Sequence, residues 1–388
     1  MIELSYDQYT KKWYQKSAFQ YLYWGKEQIR LSPPLNPSPL SVLKVESNKD
    51  VIRPLVGILA GSNPIHHFSG NAAIFKAIQN EIITSGGLSF VFTADDIRQS
   101  YIDGYLFDQE TNKWTGYRFP YPNIVYNRIP DRQEEQTKKI AVLFQRLSQQ
   151  GIPYFNRSFF QKLDIISQLS THHRLTMNVP PTDELSSFSL EEYLKRYESV
   201  FCKPSSGSKG RGIFKIKNTG TGYRFIDHET ILHFTSHEKL TEHITPMLYE
   251  KYIIQQEIKR DTYQGYPYDF RILIQKPFDA WQVTGIGIRA AQRDSLTTHV
   301  PRGGRIIPYH KVANYKDTET LTLLAISTAE LLEQQTMMAE CSLDIGKDMD
   351  GHFWIFEANS KPMRFDEPSI YHASIRSLIS TFRTFSAF

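Results

Sequence analysis

The chain of 388 residues has only two cysteines, Cys202 and Cys341. Their wide separation gives neither a disulfide framework nor a thiolate metal site. Reduced thiols in a cytoplasmic setting are the simplest expectation. No apolar run reaches the roughly eighteen residues a membrane helix needs, so no span is expected. The opening Met1-Ile2-Glu3-Leu4-Ser5-Tyr6-Asp7 has no basic patch leading into an apolar stretch, so no secretory signal is expected. Charge of one sign is scarce as well. The 45 basic and 41 acidic residues leave +4, with no basic run, which argues against a nucleic-acid partner.

What is present suits a folded, multi-domain protein. Hydrophobic residues make up 40% and charged residues 22%, while aromatics are plentiful at 13%. The length predicts about two to three domains. Residues 1–50 mix short apolar pieces with the proline cluster Leu31 to Pro39, which breaks regular structure. They read as a small strand-rich appendage and a connector. Residues 51–155 alternate strand and helix. Pro54 to Ala60 and Leu88 to Thr93 are buried strands, Asn71 to Thr84 is a helix closed by Gly86-Gly87, and Gln133 to Gln150 is a second helix. That alternation predicts an open α/β domain. The adjacent His66 and His67 could suggest a metal, but side chains of neighbouring residues diverge on an extended backbone. Loop histidines are the simpler reading.

From residue 156 the pattern changes to α+β. A helix is expected to begin within Phe159 to Leu169, and another at Leu190 to Tyr197. A strand, Ser199 to Pro204, runs into Ser206-Gly207-Ser208-Lys209-Gly210-Arg211-Gly212 and out again as a strand. Glycine admits positive φ, which turns successive N–H groups inward to make an anion-binding concavity. It is not a Walker loop, because the Gly-Lys-Ser/Thr ending is missing, nor a dinucleotide fingerprint, because it leads to a strand. An ordinary glycine-rich hairpin is the plain alternative. Lys203, on the strand just before it, favours a phosphate contact.

Near the carboxyl end, Leu343 to Pro362 reads as a hairpin turning at Asp350-Gly351. Asp344 lies on its first strand. Glu357 and Asn359 lie two apart on its second and share a face. Such hard oxygen ligands suit Mg2+, which is commonly held by one or two carboxylates and completed by substrate phosphates. Between residues 318 and 340 an apolar stripe at helical spacing predicts a packed helix, and Pro368 to Phe385 a terminal one.

These residues carry a resemblance. Phe201-Cys202-Lys203-Pro204 with its glycine loop, Tyr252 to Ile258, Asp269-Phe270-Arg271, and Asp344 followed by Glu357-Ala358-Asn359 resemble the ATP-grasp superfamily. More closely, the chain resembles the YheC/YheD-like ATP-grasp proteins of spore-forming bacteria, described as coat-associated, from about residue 52 to about 385. The resemblance implies a fold of two α+β subdomains sandwiching ATP, residues 156–254 and 255–388, preceded by the open α/β domain. It also implies site roles. Lys162 and Lys203 would contact ATP phosphates, and Ser206, Gly207, Ser208, Gly210, Arg211 and Gly212 would close over them. Gln255, Gln256, Glu257 and Ile258 would form the adenine hinge, and Asp269 would meet the ribose. Asp344, Glu357 and Asn359 would hold two Mg2+ ions, or Mn2+, with Glu357 bridging. Arg289 would stabilise the transferring phosphoryl group, with Arg271 and Arg302 in support. His299 stands where related ligases have asparagine. The plain competitors are an exposed helix lysine at 162, a solvent-facing Gln255, and an Asp269 that merely pairs with Arg271.

The implied activity is an ATP- and Mg2+-dependent carboxylate–amine ligase working through an acyl phosphate. A phosphotransferase on the same scaffold, or a coat-associated scaffold that keeps the nucleotide site without turnover, are the alternatives. Carboxylate and amine substrates, a peptide or protein among them, and spore coat proteins are the implied partners.

Overall fold

A computed structural model describes residues 2–15, 21–33, 41–46, 50–205, 212–291 and 304–386. Three six-stranded sheets dominate it, with two small three-stranded sheets near the amino end. The leading sheet runs in the order Lys113–Phe119, Ile102–Asp108, Leu88–Phe92, Leu55–Leu59, Ile124–Asn127, Tyr154–Phe155. Leu55–Leu59 pairs in parallel with both neighbours and every residue of it is buried. A parallel strand covered on both faces reads as an unbroken apolar run, which is why Leu-Val-Gly-Ile-Leu is at the centre.

One face of this sheet is covered by the helix Ala72–Thr84. It starts where the Asn71 side chain accepts from the Ile74 N–H at 3.2 Å. It buries Ile74, Phe75, Ile78 and Ile82, a stripe at spacings of three and four. The last helix, Pro368–Ser386, packs on the same face through Ile375, Leu378, Ile379 and Phe382. The carboxyl-terminal segment therefore returns to the leading sheet and ties it to the rest of the molecule. The opposite face is covered by Lys138–Gln149 and by the amino-terminal strands, whose Trp13 and Trp24 pack with Phe119.

The second sheet is antiparallel: Thr182–Glu184, Tyr252–Gln256, Ser199–Pro204, Phe214–Asn218, Tyr223–Ile226, Ile231–Phe234. Its core includes Cys202, fully buried on the face opposite its neighbour Lys203. The third sheet runs Arg305–Ile307, Gln282–Ala290, Tyr266–Gln275, Glu340–Lys347, Phe353–Asn359, all antiparallel. The helix Tyr315–Glu333 buries Leu321, Leu324, Ala325 and Leu332 against it.

Several elements differ from expectation. The helix expected over residues 133–150 is two, Arg132–Glu135 and Lys138–Gln149. Asp131 caps the first by accepting from the Glu134 N–H at 2.8 Å. Glu135 turns its carboxylate inward to Asn127 and the Phe159 N–H, which anchors that turn separately. The helix expected to reach residue 340 stops at Glu333, because Glu340 pairs with Gln275 across the third sheet. It also starts earlier, at a capping box formed by Asn314 and Asp317.

Candidate active site

A cavity of about 980 Å³ lies where the second and third sheets and the leading sheet's loops meet. Phe201, Lys203, Gln255, Gln256, Ile258, Asp269, Arg271, Arg289, Asp344, Glu357 and Asn359 all line it.

Asp344 and Glu357 stand opposite each other in paired strands, and Ser342 stands opposite Asn359. The strands turn through Gly351, whose φ of +86° suits a residue without a side chain. Asn359 Nδ2 lies 3.5 Å from Asp344 Oδ2, too long for a firm bond. Burial pushes the Asp344 carboxyl up to about 6; Arg271 opposes this and Glu357 reinforces it. Among the described residues no group of three or more His, Cys, Asp or Glu side chains gathers as a metal cage. Two carboxylates and an amide on one wall nonetheless fit Mg2+, which takes few protein ligands and fills its shell with water and phosphate.

Lys203 is held by a neutral partner. Its Nζ donates to Gln255 Oε1 at 2.6 Å, and Gln255 Nε2 donates to Thr182 Oγ1 at 2.9 Å. Gln255 is therefore a buried polar side chain at 2% exposure rather than one in solvent. Burial lowers the Lys203 ammonium to about 8, with Lys162 adding repulsion and Glu357 opposing. Lys162 opens the helix Lys162–Thr171 and donates to the Pro204 carbonyl at 3.0 Å, at the end of the Lys203 strand. Burial lowers it too, against the pull of Glu357. Gln255→Leu should leave Lys203 without its acceptor and weaken binding of an ATP analogue roughly tenfold. Calorimetric titration of the folded variant checks this.

The hinge groups are partly used. The Gln256 and Glu257 N–H groups donate to Pro181 and Ser199, at 3.0 Å each. Glu257 gives its carboxylate to Lys215 at 2.9 Å, outside the cavity lining. Ile258 is buried and lines the cavity. No partner for its N–H appears among the described residues. Asp269 accepts from Arg260 Nη1 at 2.9 and 2.8 Å, which makes Arg260 its salt-bridge partner.

Arg271 and Arg289 are 7% and 6% exposed, and each has a buried Nε with no partner among the described residues. Arg271 stands beside Asp344 in register, with its guanidinium over the Phe365 ring. Arg289 Nη2 meets Asp366 Oδ2 at 3.3 Å. Gly212 has φ of +70°, and a Cβ there would come within 2.8 Å of the Tyr252 hydroxyl, so only glycine fits. Ser206, Gly207, Ser208, Gly210 and Arg211, and likewise His299 and Arg302, lie outside the described residues.

Sequence reasoning missed the wall formed by the leading sheet's loop and the segment after the last strand of the third sheet. Arg128, Arg132 and Lys361 line the same cavity. Arg128 pairs with Glu340 at 3.0 Å and Lys361 pairs with Glu135. Burial outweighs that pairing and lowers the Lys361 ammonium to about 8. The Arg-Ile-Pro-Asp-Arg run after a buried strand was the only signal, and a loop's destination cannot be read from spacing.

The model of the YheC/D-like ATP-grasp family matches residues 151–387. The chain belongs to that family. It is 28% identical over 349 residues to the endospore coat-associated protein YheD of Bacillus subtilis (strain 168), covering 83% of this chain and 76% of YheD. It is 21% identical to YheC of the same strain, covering 72% of this chain and 82% of YheC. Among solved structures, D-alanyl-alanine synthetase A from Vibrio cholerae superposes with a TM-score of 0.53 at 13% identity, over 85% of this chain and 98% of that one. VanG D-Ala:D-Ser ligase from Enterococcus faecalis gives 0.54 at 13% identity, over 86% and 98%. The ATP-grasp fold expected from the YheC/D-like motifs is thus the fold of the chain.

Proposed function

We propose that this YheC/D-like protein is an ATP- and Mg2+-dependent ligase that joins a carboxylate to an amine. The observation that carries this reading is the meeting, in one cavity, of Lys203, Arg271 and Arg289 with the Asp344, Glu357 and Asn359 wall. Phe201, Ile213 and Ile258 give that cavity an apolar end suited to adenine. Lys203 and Lys162 hold the phosphates, and Arg271 and Arg289 hold the acid and the moving phosphoryl group. Mg2+ on Asp344, Glu357 and Asn359 would offset the charge of the triphosphate. A carboxylate oxygen attacks the γ-phosphorus and ADP leaves. The amine then attacks the acyl carbon, phosphate departs, and the nitrogen gives up a proton. Positioning and charge do most of this work, so no serine or cysteine nucleophile is required. Cys202, buried in the sheet core with its thiol pushed well up by burial, takes no part.

The test is an ADP-release assay over a panel of acids and amines, with product analysis. An amide and free phosphate support the ligase, and a phosphorylated product would replace it with a phosphotransferase. Tight Mg·ATP binding without turnover across the panel would favour a coat-associated scaffold, a role in keeping with the names of YheD and YheC.

A pH dependence follows from Lys203. Above about 8 the free site loses that proton, while a bound phosphate favours keeping it. Affinity for an ATP analogue should therefore fall as pH rises past 8, toward one proton taken up per nucleotide, and Lys203→Arg should flatten the fall. The apo chain should respond oppositely. Between about 8 and the ordinary lysine value of 10.5 the unfolded chain binds more protons, so stability rises with pH over that window. Parallel titrations and urea melts from pH 7 to about 10 check both signs.

A further inference from the structure

Arg132 differs from Arg128 and Lys361, the other two cations on this side of the cavity. Arg128 is neutralised by Glu340, and Lys361 by Glu135. Arg132 has no carboxylate within 4 Å among the described residues. Its guanidinium is nevertheless fixed. Nη1 donates to the Phe160 carbonyl at 2.9 Å and the group lies 4.7 Å from the Phe159 ring centroid. Its backbone opens the short helix Arg132–Glu135, capped by Asp131. The side chain lines the cavity and lies within the field of Glu357, which also acts on Lys162 and Lys203. Three cations thus converge on one metal-wall carboxylate from three elements. Two come from the nucleotide-holding part, and the third crosses the seam from the leading sheet. Arg132 also precedes residues 151–387, the stretch matched by the family model, so that match assigns it nothing.

We propose that Arg132 binds an oxyanion of the acid substrate, its carboxylate, so that the leading domain supplies part of the acid site. A planar guanidinium with free N–H groups matches a carboxylate in a two-point contact. The γ-phosphate offers similar oxygens, but Lys162 and Lys203 are the groups proposed for the phosphates, while Arg132 comes from a loop of the leading sheet and is tied to the Phe160 carbonyl. The inference rests on the ligase reading, and its test separates the two.

The experiment is calorimetric titration of acetate, glutarate and L-glutamate into the full chain saturated with Mg2+ and AMPPNP. At least one of these acids should bind to the native protein. Arg132→Gln should weaken that binding roughly ten- to a hundredfold. Arg132→Lys should recover part of it, while AMPPNP affinity stays within about twofold and the melting temperature is unchanged. The proposal is overturned if none of the acids binds, or if Arg132→Gln binds them as the native chain does. It is equally overturned if the variant loses AMPPNP but not ADP, which would assign the guanidinium to the γ-phosphate. A chain that fails to bind Mg2+ and AMPPNP at all would sink the ligase reading. Titrating the acids into the nucleotide-free protein would then still decide Arg132.

Discussion

Glu357→Gln is expected to remove the Mg2+-dependent part of ATP binding, a loss of at least about a hundredfold. Glu357 stands opposite Asp344 in register, and its charge reaches Lys162, Lys203 and Arg132. Glutamine keeps the shape and the strand pairing but removes the anion that seats a cation. The same change frees the surrounding lysines from a competing carboxylate. Metal-free ATP should therefore bind the variant as well as, or better than, it binds the native chain. The two halves of this expectation have opposite signs, which a general loss of folding could not produce. Titration of AMPPNP with Mg2+ and with EDTA, on both proteins, reads them directly. A variant that keeps the full Mg2+ enhancement would remove Glu357 from the metal wall.

The second large effect is on stability. Glu340 lies at the seam between the leading and third sheets and is 3% exposed. Its Oε1 accepts from Tyr126 at 2.5 Å, Arg128 at 3.0 Å and Asn156 at 3.1 Å, and its Oε2 from Gln275 at 3.2 Å. Four donors from two sheets share one carboxylate. Glu340→Ala would leave the Arg128 guanidinium buried without its counter-charge, costing about 3–5 kcal/mol. Adding Arg128→Met removes the stranded charge, so the double variant should recover about 1 kcal/mol or more relative to the summed singles. Urea unfolding followed by a probe in each sheet measures this, since a chain of several sheets need not unfold in one step. A Glu340→Ala loss below about 1 kcal/mol would mean that solvent replaces the network.

The hairpin that carries the proposed metal ligands was legible because strand alternation fixes which side chains share a face. Glu357 and Asn359 needed only a period of two; Asp344 faces Glu357 through a one-residue register shift beside Ile345, which no turn signal announces. The strand bearing Lys203 was legible for the same reason, with Cys202 on the opposite face. Gln255 was not. Its role depends on a partner strand some fifty positions earlier, and nothing local distinguishes a buried glutamine from an exposed one. The Asp269 salt bridge misled for a similar reason. Arg271, two positions on in the same strand, shares the face of Asp269 but stands in register with Asp344, while Arg260 reaches Asp269 from beyond the hinge. The leading sheet's contribution was the least readable part, because loops such as Arg128 to Arg132 are placed by tertiary packing, not by periodicity. The break after Glu135 had the same cause: an inward carboxylate outweighed helix continuity.

The most direct test of the account is a crystal structure of the chain with AMPPNP and Mg2+. The triphosphate should lie between Lys203 and the Asp344, Glu357 and Asn359 wall. Magnesium should sit about 2.0–2.1 Å from the carboxylate oxygens. Nucleotide bound elsewhere, or bound in this cavity with its phosphates turned away from Glu357, would contradict it.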